Sequence, residues 1–481
     1  MHWSPALRSW CLAALVAAAP ARAADADLDP GFGIGGERPL AYPLVRSDQV
    51  DRGVALLRDA QGRWLAIQSV VNPFPFTPGS DLDLVIHRYT PSGQPDLTFG
   101  GGTGYVLAPL GWVGFGKAML DSQGRILVAG TALSAPPSTS VGLLLLRLLP
   151  NGSRDLSFTG GLGNEGVSGF AYGNGSLDNR ALAVAELPNG DVVLAGNLVD
   201  ANDNWFALRV AGTNGAPVGT WGSGFGLQVI DLQPAANLAQ DALAGIAALA
   251  DGRLVLMGHS CTAALGCRPA AARLDLAGMP DAGFCASAGC VASSVAGVNG
   301  GRRVVRDPLL AGYVLTSVEI GAATRDNFGR LLLAGRTQVG AGGPAPGLVL
   351  RLGPDGDLDA SFGAVTSPGF QALALADAPV APAALVLDPQ ARIVIGGSST
   401  RAAQRRLFLA RLQANGAADA GFSTTGAIAE YFPAPAAADR ALVDLQAQAA
   451  RITALGDGNG PANRDAFLFR VGSILYGDGF E

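Results

Sequence analysis

Two short stretches decide the fold: GRLLLAG (329–335) and, just downstream, RLGPDGDLDASFG (351–363). The first is a turn, an arginine, an apolar run and a closing glycine. The second is an arginine ending an apolar run, then a polar turn, then Asp359 and Phe362. Both recur along the chain. The strand-ending arginine returns as Arg88, Arg147, Arg209, Arg273, Arg351, Arg411 and Arg470, at gaps of 59, 62, 64, 78, 60 and 59 residues. Eight residues after six of them stands an aspartate: Asp96, Asp155, Asp281, Asp359, Asp419 and Asp478. The aromatic partner is Phe99, Phe158, Phe284, Phe362 or Phe422. The copy after Arg209 is degenerate, with Val218 and Trp221 in these places, and an extra copy, Asp29 to Phe32, precedes the first unit. The Gly–Arg signature recurs at 124–130, 252–258, 391–397 and 450–456, with weaker forms at 63–68 and 189–196. Seven units of roughly sixty residues mark a repeat architecture.

Within a unit the residues read as four short strands: a (Tyr105–Pro109), b (Lys117–Leu120), c (Ile126–Ala129) and d (Leu143–Leu148). A tight turn joins b to c, as in a hairpin. Strand c is apolar throughout, so both its faces should be covered. Sheets stacked face to face around an axis do this, and the reading is an all-β, seven-bladed β-propeller of four-stranded blades. The rungs of a parallel β-helix are much shorter than this period. The chain starts with the motif and strand a (Arg38–Leu44) and ends after strand d (Phe467–Val471), so the two termini are expected to pair and close the ring.

The phrases DGDLDASFG (355–363) and GRLLLAG (329–335) resemble the uncharacterised delta-60 repeat of exported bacterial proteins, over most of residues 27–472. The resemblance implies a propeller-like fold and no activity.

The first residues, with Arg8, the apolar run Trp10–Ala19 and the small-residue site Ala21-Arg22-Ala23, read as a secretory signal peptide, 1–23. Residues 24–472 are then the propeller and 473–481 a C-terminal tail ending Asp-Gly-Phe-Glu. Cleavage removes two arginines and takes the formal net charge from −6 to −8. Lys117 is the only lysine. An acidic chain with no basic cluster is a poor partner for nucleic acid, and no apolar run is long enough to span a membrane. The expected product is a secreted, periplasmic or surface protein, monomeric.

Cys261, Cys267, Cys285 and Cys290 remain after cleavage, all in one repeat. An even number in an oxidising compartment reads as disulfides. A strand between the pairs favours Cys261–Cys267 and Cys285–Cys290, with a four-thiolate zinc site as the rival.

The repeated Arg–Asp couples read as scaffold, each arginine fixing the turn that follows its strand. Function is expected where repeats differ: the a–b and c–d connections, which share one end of the ring. The variable stretches are 71–80, 132–140, 197–203, 259–268, 337–346 and 398–405, with a long a–b insertion at 298–314. On this face Phe74 and Phe76, ringed by prolines, and Trp112 and Phe115 in the next a–b loop are candidates for stacking on a sugar or a partner protein. Acidic and amide clusters at Asp81 and Asp83, at Asp200, Asn202 and Asp203, and at Asp457, Asn459 and Asp465 could hold calcium, although Asx turns explain them more simply. No other cofactor is expected. His87 reads as a packed strand residue, and no nucleophile elbow, metal-protease motif or phosphate loop occurs. The functional expectation is a binding scaffold for a protein or polysaccharide. The alternatives are a carbohydrate-active enzyme with two carboxylates at the central funnel and a purely structural surface repeat.

Overall fold

The computed structural model describes residues 27–472 apart from 41–50, 72–81, 113, 134–140, 161–165, 172–178, 200–201, 234–238, 297–299, 341–343, 376–377, 402–403, 424–427, 432–439, 449 and 460–463. The expected signal peptide and tail, with Asp478, lie outside the described residues, as do Phe74, Phe76, Asp81 and Asp200.

The strands form seven four-stranded antiparallel sheets, and the seven inner strands contact one another in a complete circle. The inner strands are Arg52–Arg58, Gly114–Leu120, Arg180–Glu186, Gln240–Ala248, Leu315–Arg325, Val380–Leu387 and Arg440–Ala447, and blades 1 to 7 are numbered from them. The second strand of blade 3, Val192–Leu198, is buried along its length, and those of blades 4, 5 and 6 over their first five residues, because both faces meet neighbouring blades. No helix among the described residues is long and apolar enough to cross a membrane.

The blade and the sequence unit are offset by one strand. Each sheet takes b, c and d from one unit and, as its outer strand, strand a of the next. Blade 7 has no following unit. Its outer strand is Glu37–Pro39 from the start of the chain, paired as Glu37↔Phe469, Arg38↔Leu468 and Pro39↔Phe467. Closure therefore covers the edge of the C-terminal strand, Arg464–Gly472, with the N-terminal one.

The core is cut into slices, one between each pair of neighbouring blades. The motif aromatic anchors every slice: Phe99, Phe158, Trp221, Phe284, Phe362, Phe422 and, at the closure, Phe32. A glycine on the next blade's turn lies flat against most of these rings. A Cβ on Gly93 would come within 2.5 Å of Phe32, and one on Gly278 within 2.4 Å of Trp221; both glycines have φ near +85°, a conformation that itself favours glycine.

The arginine at the end of the third strand ties these parts together. Arg88, Arg147, Arg273, Arg351 and Arg411 each donate Nε to the aspartate eight residues on, at 2.6–2.8 Å. Each guanidinium lies over the ring of the same motif, 4.0–5.2 Å from its centre. Four of them also reach a backbone carbonyl of the next blade, Pro150, Gly212, Pro354 or Ala414. A second arginine, from the b–c turn, approaches the same aspartate: Arg63 to Asp96 at 3.5 Å and Arg253 to Asp281 at 3.0 Å.

Two departures from the expected pairing follow from the topology. Arg470, paired by spacing with Asp478, instead donates to Asp29 at 2.8 Å, covers Phe32 at 4.5 Å and reaches the Pro91 carbonyl. The extra N-terminal motif is thus the missing half of blade 7. In blade 3, where Val218 replaces the motif aspartate, Arg209 pairs with Asp191 at 2.6 Å. Asp191 occupies the turn position that holds arginine in the other blades, so one charge pair survives with its acid moved.

This exchange generates a prediction. Asp191→Arg alone leaves Arg209 without its acid and should cost about 3 kcal/mol. Adding Val218→Asp should recover most of that loss, because the backbone N–H of Val218 already bonds the Arg209 carbonyl as Asp96 does that of Arg88. Urea unfolding of the wild type, both single variants and the double variant measures the coupling.

Candidate functional site

Each inner strand carries a β-bulge, between Gly53 and Ala55, Phe115 and Ala118, Ala181 and Ala183, Leu243 and Gly245, Ile320 and Ala322, Pro382 and Ala384, and Leu442 and Asp444. All seven lie toward the end where the a–b and c–d connections emerge. A bulge disrupts the ladder locally and leaves backbone donors to be satisfied from elsewhere. The neighbouring blade supplies the acceptor. Thr131 accepts from the Ala181 N–H at 3.3 Å, Asn197 from Leu243 at 3.1 Å, His259 Nδ1 from Ile320 at 3.1 Å, and Asp457 from Gly53 at 2.6 Å.

The four acceptors hold one register position, the residue after the strand-c glycine. Their cross-strand partners, Gly114, Arg180, Ala242 and Ala441, and the matching residues of the other three blades, Arg52, Glu319 and Ala381, form a ring of equivalent positions at the channel mouth. Asp457, a calcium candidate by sequence, here clamps blade 7 to blade 1. Asn202 and Asp203 belong to blade 3, where the Asp203 carbonyl accepts the Asp241 N–H at 2.9 Å. Asp83 is buried in blade 1, and Asn459 ends the second strand of blade 7.

Lys117 stands at the bulge of blade 2. Its ammonium donates to the Val443 carbonyl at 3.2 Å and lies 3.6 Å from Asp444, so it reaches past blade 1 to blade 7. Asp444 also accepts the Leu56 N–H at 2.9 Å, and Gln446 donates to the Leu56 carbonyl at 3.0 Å. The other inner-strand acids are likewise engaged. Glu186 accepts the Ser122 N–H and hydroxyl at the opposite end of the channel, and Glu319 pairs with Arg336 at 2.5 Å.

Asp241 is the most perturbed acid. It is 1% exposed; the Ser260 hydroxyl donates to one oxygen and the Leu232 N–H to the other, at 3.0 Å. Gln233 donates to the Ser260 oxygen at 2.7 Å. Burial pushes the Asp241 carboxyl up to about 7, with Asp231 and Asp203 acting in the same direction against the two hydrogen bonds. His87, beside Gln68 and under Tyr89, is pushed down to about 4 by burial.

Structure corrects several placements. Trp112 is the last residue of the outer strand of blade 1, and Phe115 lies on the inner strand of blade 2, half-buried against the blade 1–2 core. Both strands run longer than expected, leaving a one-residue connection in place of an aromatic loop. The stretch 259–268 is mainly strand: Leu254–Thr262 and Gly266–Leu274 form a hairpin clasped by the Cys261–Cys267 disulfide. The insertion at 298–314 contains the outer strand of blade 4, Arg302–Val304. The preceding d–a connection carries the short helix Ala288–Ala292 and the Cys285–Cys290 disulfide. A ring nitrogen of His259 and the sulfurs of Cys261 and Cys267 lie within 4.8 Å of one another, but the sulfurs are bonded together, which removes the thiolates a zinc site needs.

Two cavities open at the motif end. One, of about 440 Å³ between blades 5 and 6, is lined by Asp326, Phe328, Arg330, Arg351, Asp388 and Pro389. Asp326, Arg330, Arg351 and Asp388 belong to scaffold pairs, Arg325 donates to the Asp326 carbonyl, and Phe328, 74% exposed, carries Arg330 over its ring at 5.0 Å. Sequence reasoning passed over Phe328. The signal was there: the same turn position holds Gln61, Gln123, Asn189, Asp251 and Gln390 in other blades. The second cavity, about 270 Å³, lies among Ser122, Glu186, Pro188, Ala248 and Arg325.

The titration of Asp241 is testable. Its folded pKa lies above the unfolded value of 3.8, so the folded state holds the extra proton between the two and stability falls as pH rises through that window. His87 contributes the opposite slope, its folded value lying below the unfolded 6.5. The difference between wild type and Asp241→Asn isolates the acid. Wild type should lose on the order of 4 kcal/mol relative to the variant from pH 4 to pH 8, with the curve levelling off above that. Urea midpoints at half-unit pH steps read this directly.

Comparison with known proteins agrees with the architecture. Residues 122–158, 329–362 and 392–422 match the family described as "domain of unknown function (DUF5122) beta-propeller". No curated protein matches. Similar solved structures include the polysaccharide lyase Uly1, at 10% identity and TM-score 0.47 over 94% of this chain and 98% of that one. An α-L-arabinofuranosidase from Fusarium graminearum aligns at 12% identity and TM-score 0.35 over 93% and 97%. The propeller domain of the trilobed protease from Pyrococcus furiosus aligns at 6% identity and TM-score 0.40 over 87% and 95%. The chain is a seven-bladed β-propeller, similar over three of its repeats to a propeller family of uncharacterised function.

Proposed function

We propose that this chain is an exported β-propeller scaffold that binds a protein or carbohydrate ligand at the end from which the a–b and c–d connections emerge. The observation carrying this reading is the contrast between the two ends. At the motif end, nearly every blade repeats one saturated unit of arginine, aspartate and aromatic ring. At the other end, seven equivalent strand positions hold arginine, glycine, alanine or glutamate, and the connections differ in length and composition. Repeats reuse scaffold contacts and diverge where they recognise different things.

The enzyme alternative needs two carboxylates facing one bond, whereas the described inner-strand acids Glu186, Asp241, Glu319 and Asp444 bond Ser122, Ser260, Arg336 and Leu56. An extracytoplasmic location is supported by the leader-like residues 1–23 and the two disulfides.

A thermal-shift scan of the mature protein against neutral and acidic polysaccharides, calcium and EDTA tests the reading. A ligand at a hundred times its dissociation constant adds about 2.7 kcal/mol. We expect at least one polysaccharide to raise the midpoint, and Phe74→Ala with Phe76→Ala to reduce the rise. A calcium-dependent, EDTA-reversed shift would assign the acidic clusters instead. No shift across the panel, with no retention of the protein on intact cell envelopes, would refute ligand binding at this end.

A further inference from the structure

We propose that the rim of the channel at the motif end is a second binding groove, for a chain of neutral sugars, with one pyranose ring stacked on Phe328. This goes beyond the scaffold reading, which places its ligand at the opposite end. Five inner strands meet the groove at their last residue: Glu186, Ala248, Arg325, Leu387 and Ala447, on blades 3 to 7. The two cavities at this end share Arg325 as a wall, so together they follow the rim across these blades. The larger, about 440 Å³, falls within the range of about 300–1,000 Å³ that holds small ligands.

Phe328 stands at the larger cavity with its ring 74% exposed. At the same turn position Gln61 and Gln390 accept a hydrogen bond from the turn arginine, at 3.3 and 3.5 Å. Phe328 forfeits that bond and keeps only the Arg330 guanidinium over its ring. The exchange gains little burial, since most of the ring stays in water. Polar groups with unused capacity stand beside it. Asn327 is exposed, and among the described residues its side chain makes no hydrogen bond. Arg325 gives one hydrogen bond, to the Asp326 carbonyl at 3.3 Å, and has no carboxylate within ion-pair distance among the described residues. The acids of the same cavity are engaged, Asp326 by Arg330 and Asp388 by Arg392, both at 2.6 Å. An exposed ring beside an amide and a guanidinium matches a pyranose, whose C–H face is apolar and whose hydroxyl groups surround its edge. At the blade 3 end Glu186 accepts only from Ser122 and has no cationic partner among the described residues. A polyanion lying along the groove would meet that carboxylate, whereas a neutral chain can hydrogen-bond both Glu186 and Arg325.

Native gels cast with β-glucan, galactomannan, dextran or polygalacturonate test the groove, retardation of the mature protein giving the affinity. The variants are made in a Phe74→Ala, Phe76→Ala background, which removes the candidate aromatics of the opposite end. Phe328→Gln copies Gln61, Gln123 and Gln390, and Asn327→Ala copies Ala60 and Ala250, so both suit the turn. We expect at least one neutral polysaccharide to retard the background protein. Phe328→Gln should weaken that binding several-fold, Asn327→Ala less, and Phe328→Trp should keep it. Retardation by polygalacturonate alone, or equal retardation of the background protein and its Phe328→Gln variant, would overturn the proposal. So would a wild type that is retarded while the background protein is not, a result that places the sugar at the opposite end and leaves the scaffold reading standing. A protein that no neutral polysaccharide retards would overturn the groove, and the scaffold reading would then rest on its own thermal-shift scan.

Discussion

The rest of the structure depends on one contact: an arginine at the end of the third strand, held by the aspartate of the following turn and laid across that turn's aromatic ring. Arg147 shows what it accomplishes. The side chain is fully buried, its Nε donates to Asp155 at 2.8 Å, and its guanidinium covers Phe158 at 4.0 Å. A buried cation is tolerable only when paired and hydrogen-bonded. Here the pairing also orders the turn, seats the ring between blades, and reaches the carbonyl of Gly212 on the next blade. One residue thus links strand exit, interblade core and blade-to-blade spacing. The compensated pair in blade 3 makes the same point, since Arg209 keeps an acid even where the motif has lost its own.

A second constraint acts nearer the axis. Strands must crowd together at the inside of a ring, and the inner strands meet this with bulges and small residues. A Cβ on Gly116 would come within 2.3 Å of the Ala181 carbonyl, and one on Gly321 within 2.2 Å of that of Pro382. Side chains from the preceding blade, Asp457, Thr131, Asn197 and His259, bond the N–H groups beside the bulges. Their chemical variety is informative. A carboxylate, a hydroxyl, an amide and an imidazole serve one geometric task, so His259 and Asp457 need no catalytic or metal role to account for their burial.

The two ends of the molecule therefore have different characters. The motif end is saturated by repeated ion pairs, and Asp326, Arg330, Arg351 and Asp388 in the cavity between blades 5 and 6 are committed to such pairs. At the mouth, the seven equivalent positions depart from one another, as arginine, glycine, alanine or glutamate.

Much of this was legible beforehand. Period, blade number, strand content and the spacing of Arg88–Asp96 and its counterparts follow from local pattern, because each blade is built from contacts a few residues apart. The face of variable connections was readable for the same reason. Local pattern was silent where partners are far apart in the chain. Arg470 finds Asp29 across 441 residues, and nothing in the spacing favoured it over Asp478. The Asp59–Arg63 type of turn pair was overlooked as mere turn composition, although its Nε–Oδ2 distance of 2.6 Å recurs in Asp326–Arg330 and Asp388–Arg392. Trp112 and Phe115 were misplaced because strand ends depend on pairing, not on the residues alone. By itself, then, the sequence determined the repeat, the blade and the motif that holds it, all short-range matters. Only the tertiary structure decided which strand completes which blade, which polar side chains cross between blades, and which residues gather at the mouth, since closing a ring brings together groups that no local spacing relates.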